Sequence, residues 1–308
     1  MLAVGELAAK ANGVEIVFET FGDREHPTVL LIMGLGVQML GWDWEFCELL
    51  AAQGFQVVRF DNRDVGRSTK IEGGPRPDVM AAAAGDLSSA SYTLDDMADD
   101  CAGLLDHLGV KTAHVVGASQ GGMIAQALAI RHRRRVLSLT SVMSSTGDRA
   151  VGQPHPEAIP ALLTRPPANR EQFVESAVAT WRVIGSPGFE RDEAALRERA
   201  GASFDRGYYP EGTARQLVAI LASGDRTEAL RGLDLPTQVI HGADDVLIDV
   251  SGGRATAAAI PGARLELVEG MGHDLPRQLW PRFVELIVEN AERAEAPAPA
   301  AMRPETAS

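Results

Sequence analysis

His114-Val115-Val116 is a short apolar strand; Gly117-Ala118-Ser119-Gln120-Gly121 follows, and Gly122-Met123-Ile124-Ala125 opens an alanine-rich helix. A chain that turns from strand to helix in so few residues forces the middle residue into strained dihedrals and pushes its side chain out of the bend. The glycines on either side make room for that bend. Ser119 therefore has its hydroxyl exposed at the carboxyl end of a sheet, beside the positive end of a helix. With 31 glycines in 308 residues, such a pentapeptide arises readily by chance. The rest of the chain has to supply a base, an acid and a second oxyanion donor.

Length and charge narrow the field. A chain of 308 residues with 45% hydrophobic and 23% charged residues has the material for one large α/β domain with an insertion. A formal charge of −13 repels phosphate backbones and anionic bilayers, which disfavours nucleic-acid and membrane-surface partners and favours a small neutral substrate. No apolar run reaches membrane-spanning length and the N-terminus lacks a signal-like pattern, so the expected location is the cytoplasm. Cys47 and Cys101 have no metal-like spacing and read as small buried side chains, and neither metal nor cofactor is called for.

Val14–Glu19 and the segment from Leu7 suggest an antiparallel edge hairpin. Thr28–Met33 is apolar almost throughout, as in a strand covered by helices on both faces. It empties into Gly34-Leu35-Gly36-Val37-Gln38-Met39, where Met39 stands in place of the third glycine of a dinucleotide fingerprint. The better reading is a loop whose amides face a ligand, with Gly34 beside the substrate and the Leu35 N–H as an oxyanion donor. Trp42–Ala52 reads as an amphipathic helix with Phe46, Leu49 and Leu50 inward, and Phe55–Phe60 as the next strand. The polar loop Asp61–Ser68 braces its neighbours. Thr93 with Asp96 forms a capping box for a helix to about Leu108, and its aspartates suit the helix dipole. His132, at a basic helix end, is expected in solvent.

From about Ser144 to Arg226 the strand–helix alternation stops. Prolines break the chain, and helices are expected after Asn169, over Asp192–Arg199 and over Thr213–Leu221. The domain reading is a core of residues 1–143 and 227–292, a helical cap over 144–226 that roofs the ligand site, and a disordered Ala/Pro-rich tail over 293–308. Trp181, Phe204 and Tyr208 are the side chains assigned to the substrate pocket, with Tyr209 beside them. Strands resume at Thr237–His241 and Arg264–Val268, and a final helix covers Arg277–Asn290.

Parallel strands put their carboxyl ends on one sheet edge, so the loops after them converge. Ser119, Asp245 and His273 each follow a strand. A serine hydroxyl needs an imidazole to take its proton, and the imidazole needs a carboxylate to hold its tautomer. Of the seven histidines, His273 lies in the glycine-bounded loop after the last strand, whereas His107 and His132 lie at helix ends and His114 and His241 lie within strands. Asp244, Asp245 and Asp249 share one loop and Asp148 follows another strand; Asp245 is the choice. The Gln120 and Leu35 N–H groups complete an oxyanion hole.

The order Ser, Asp, His with its elbow, loop and insertion resembles the α/β-hydrolase superfamily over about Leu7–Asn290. Ile32-Met33-Gly34-Leu35-Gly36, Asp61–Ser68 and Gly270-Met271-Gly272-His273 are similar to a branch of bacterial carboxylesterases and lipases of the aclacinomycin methylesterase type. The resemblance implies a mostly parallel twisted sheet flanked by helices with a helical cap. It also implies hydrolysis of small or medium apolar esters through an acyl-enzyme on Ser119, and it favours Asp245 over Asp244. Perhydrolysis of the cofactor-free haloperoxidase type and C–C bond hydrolysis use the same triad and stay open, as does a non-catalytic ligand-binding module and a homo-oligomeric state. Two positions depart from the branch: Met33 replaces a loop-bracing histidine, and Gln120 replaces an apolar residue, which is expected to change pocket polarity.

Overall fold

The computed structural model describes residues 5–162 and 166–295. Its centre is an eight-stranded sheet made of β1 (Leu7–Ala11), β2 (Val14–Phe21), β3 (Thr28–Ile32), β4 (Gln56–Phe60), β5 (Ala113–Ala118), β6 (Val136–Val142), β7 (Thr237–Gly242) and β8 (Arg264–Val268). The spatial order is β1-β2-β4-β3-β5-β6-β7-β8, with β1 and β2 antiparallel and every pair from β4 to β8 parallel. The hairpin turns on Asn12 and Gly13, both at positive φ, an Asn-Gly signal the hydrophobic pattern alone did not use.

The unbroken apolar run of β3 follows from burial on both faces. Leu30 and Ile32 point into a core layer shared with α3 (Leu94–His107) and α4 (Gln120–Arg131), and Val29 and Leu31 into one shared with α1 (Trp44–Ala51) and α11 (Trp280–Glu295). In α1 the inward residues are Phe46, Cys47 and Leu50, while Leu49 is exposed, because Cys47 rather than Leu49 shares their face. Thr93 and Asp96 form the expected capping box. Asp100, however, is buried in an ion pair with Arg63, and His132 is paired with Asp99 rather than left to solvent. Both cysteines are free and buried, and burial pushes the Cys47 thiol up to about 12.

Between β6 and β7 the described chain carries helices only: α5 (Ile159–Leu162), α6 (Arg170–Ile184), α7 (Glu193–Gly207), α8 (Pro210–Ser223) and α9 (Thr227–Arg231). Asn169 caps α6 through the Gln172 amide, as expected. α7 continues eight residues past Arg199, so Phe204 lies on a helix, and α8 begins earlier because Pro210 suits its first turn. α11 runs to Glu295, carrying helix into residues 293–295 that were assigned to the tail; residues 296–308 lie outside the described residues. Two helices, α2 (Val79–Ala83), which packs against α8, and α10 (Ser251–Ala259), had no counterpart in the sequence reading. Among the described residues no helix is long and apolar enough to cross a membrane.

Candidate active site

Ser119 sits between β5 and α4 at φ 56° and ψ −122°, a strained conformation for a residue with a side chain. The flanking glycines are obligatory on steric grounds. A Cβ on Gly117 would lie 2.1 Å from the Gly121 carbonyl oxygen, and one on Gly121 would lie 2.1 Å from that of Ile32. The bend is tied down by the Ser119 N–H bonding to Val142 O (2.9 Å) and by Ser144 Oγ donating to Ser119 O (2.8 Å).

The loops after β7 and β8 bring two distant residues to this serine. His273 Nε2 lies 3.0 Å from Ser119 Oγ, and its Nδ1–H donates to Asp245 Oδ2 at 2.7 Å. Because a carboxylate only accepts, this contact fixes the proton on Nδ1 and leaves Nε2 to accept from the serine. Asp245 is held in turn by the Leu247 and Ile248 amides, both 2.9 Å from Oδ1. His241 supports the same loop, with Nε2 2.8 Å from Ile248 O; burial lowers its pKa, so it stays neutral. The other acids are engaged elsewhere: Asp244 with the Gly270 amide, Asp249 with His155 and Ser251, and Asp148 with the Ala150 amide.

Gly34 packs directly on Ser119: a Cβ there would come within 3.0 Å of Ser119 Cβ. The loop after it, including Leu35, is braced from three sides. Asn62 Nδ2 donates to Met33 O (2.9 Å), Met39 N–H donates to Asp61 Oδ1 (2.9 Å), and Gly36 N–H donates to Gln216 Oε1 (2.9 Å) from α8. These bonds fill the role left open by Met33. The Asp61–Ser68 loop braces its neighbours, with Asp61 paired with Arg206 and Asp64 with Arg215, both from the segment between β6 and β7, and its Asp64, Val65 and Gly66 also line a cavity. Burial pushes the Asp61 carboxyl up against the pull of Arg206. The Gln120 side chain does not set pocket polarity as expected. It is buried beneath α8, with Nε2 donating to Gln216 O at 3.4 Å.

A cavity of about 750 Å³ opens beside this site. Met33 and Met143 line it from the ends of β3 and β6, the two strands flanking β5, and Asp274, next to His273, is also on its wall. Ser119 and His273 themselves are not among the residues that line it. Trp181 and Tyr208 are on its wall as expected. Phe204 is not: it is spent on packing, stacked at 5.2 Å on Tyr208 and 5.6 Å from Phe173. Phe173, Phe189 and Trp42 line the cavity without having been singled out. Gln216 and Arg215 were also missed, although both share a buried face of α8 with Gly212 and Ala219, and polar residues on such a face are spent on internal contacts. Among the described residues no group of three or more His, Cys, Asp or Glu side chains is arranged to hold a metal.

The family model for the alpha/beta hydrolase fold matches residues 27–276. The chain belongs to this family. This α/β hydrolase is 30% identical to the rhodomycin D methylesterase of Streptomyces sp. (strain C5), over 84% of this chain and 88% of that one. It is 26% identical to a bifunctional esterase/perhydrolase of Acinetobacter calcoaceticus, over 86% of this chain and 91% of that one. Among solved structures it resembles the enol-lactonase from Burkholderia xenovorans LB400, with a TM-score of 0.71 and 25% identity over 93% of this chain and 100% of that one.

Proposed function

We propose that the chain is a carboxylic ester hydrolase in which Ser119 is the nucleophile, His273 the general base and Asp245 the residue that orients it. The observation that carries this reading is the continuous hydrogen-bond chain from Ser119 Oγ through His273 to Asp245. His273 Nε2 takes the hydroxyl proton as Ser119 Oγ adds to the ester carbonyl, and Asp245 stabilises the imidazolium. The tetrahedral oxyanion is received by the Leu35 and Gln120 amides, each donor worth on the order of 10²–10³ in rate. Collapse transfers the proton from His273 to the departing alcohol and leaves an acyl-Ser119 ester. Water, deprotonated by His273, then releases the acid and regenerates the serine.

The helical segment 144–226 is the cap. Its Trp181 and Tyr208, with Phe173, give the cavity an aromatic wall suited to an apolar acyl or alcohol group. The likeness to a methylesterase and to an esterase/perhydrolase supports ester hydrolysis, and an aromatic polyketide methyl ester is the first substrate to try. The test is Ser119→Ala against a short p-nitrophenyl ester and an aromatic methyl ester. A loss of about 10³-fold or more in kcat is expected for both, together with loss of fluorophosphonate labelling. Retention of most of the activity would refute the reading, and a faster reaction with peroxide than with water would move the enzyme to perhydrolysis.

A further inference from the structure

The general base is held by more than its two triad partners. The short linker between α6 and α7 lies against the loop that carries His273. The His273 N–H donates to Ile184 O (2.7 Å), and the Gly188 N–H donates to Gly270 O (2.9 Å). Between these two backbone bonds sits Ser186, which is 4% exposed. Its Oγ accepts from the Gly272 N–H (2.9 Å) and donates to Asp274 Oδ1, while its own N–H donates to the same carboxylate oxygen (3.1 Å). Gly272 and Asp274 are the two chain neighbours of His273, so one hydroxyl holds both sides of the histidine. The fit is tight: a Cβ on Gly272 would lie 2.7 Å from the carbonyl oxygens of both Ile184 and Gly185.

We propose that Ser186 is a positioning residue for the reaction, with Asp274 as its anchor: together they hold His273 at hydrogen-bonding distance from Ser119 and couple the base to the cap. Ser186, Asp274 and Phe189 all line the cavity, so a ligand that packs the linker down also firms the base. The inference rests on Ser119 and His273 acting as nucleophile and base. Displacing a reacting group by a fraction of an ångström is costly in rate while leaving the binding walls in place.

The test measures the inactivation of Ser119 by a fluorophosphonate in wild type, Ser186→Ala, Asp274→Asn, Asp274→Ala and the double alanine variant, with thermal melting and active-site titration of each. This probe needs no knowledge of the natural substrate. In Ser186→Ala the maximal inactivation rate of the titrated active fraction is expected to fall about 10- to 100-fold, with the inhibitor's half-saturation within about twofold. Asp274→Asn keeps an acceptor for both Ser186 donors and should retain at least about a third of the rate. Asp274→Ala should match Ser186→Ala, and the double variant should be no slower than either, because both act through one bridge. A wild-type rate in the active fraction of Ser186→Ala, or full additivity of the two alanine effects, overturns the inference. Failure of wild type to be labelled at Ser119 would instead overturn the ester-hydrolase reading.

Discussion

Gln216 is one of the side chains that tie the segment between β6 and β7 to the loop proposed to carry the oxyanion donor Leu35, and its replacement by leucine should separate stability from chemistry. It is fully buried, with Oε1 accepting from the Gly36 N–H (2.9 Å) and Nε2 donating to Arg63 O (2.8 Å). Leucine nearly preserves the volume but abandons both backbone groups. An abandoned buried group costs about 1–3 kcal/mol, and Gly36, being half-buried, recovers part of its share from water. The expected loss is about 2–4 kcal/mol, or roughly 3–6 °C in Tm for a chain of this size. The same loss frees the segment that carries the Leu35 amide, which is displaced rather than removed, so kcat should fall about 10- to 100-fold, below the full cost of a missing donor. KM should change little, since the cavity wall is untouched. Gln216→Glu supplies a control: as the pH falls and its buried carboxyl protonates, the acid form can again donate to Arg63 O and stability should recover. Urea melts and steady-state kinetics on one ester decide the matter. A Gln216→Leu protein within about 1 kcal/mol of wild type and with kcat within about twofold would refute the reasoning.

Two further outcomes follow from buried groups. His114 is held at about 4 by burial, below its ordinary value, so the unfolded chain binds a proton that the folded chain refuses. Its contribution is whole above about pH 6.5 and is lost as the pH falls toward 4, about 3 kcal/mol in all; His114→Gln should flatten this part of the stability profile measured by urea unfolding, and an unchanged slope would count against it. The Tyr208 hydroxyl is buried without a partner among the described residues. Tyr208→Phe should therefore leave Tm unchanged or raise it slightly, and a loss above about 1 kcal/mol would reveal a partner.

Local rules carried the elements a long way. An unalternating run at β3, an Asn cap before α6 and a Thr/Asp capping box before α3 are decisions made by a residue and its near neighbours. The elbow is of this kind only in part: Gly117 is required by the Gly121 carbonyl four residues on, whereas Gly121 is required by Ile32 on the adjoining strand, a contact the tertiary fold supplies. Local pattern misleads where a face has more than one claimant. Leu49 and Cys47 compete for the inner side of α1, and Phe204, an aromatic of the right type in the right segment, is taken by Phe173 and Tyr208 instead of the cavity.

The strand–helix alternation, the serine at a sharp bend and the residue types able to act with it are legible in the chain, because they depend largely on steric and periodic properties of short stretches. Tertiary structure alone decided which groups meet and what holds them. The Ser119–His273 contact spans 154 residues, the Gly36–Gln216 bond spans 180 and the Ser186–Asp274 bridge spans 88. Hydrogen bonds are read out over about 3 Å, and no local pattern records which distant side chain will arrive within that range.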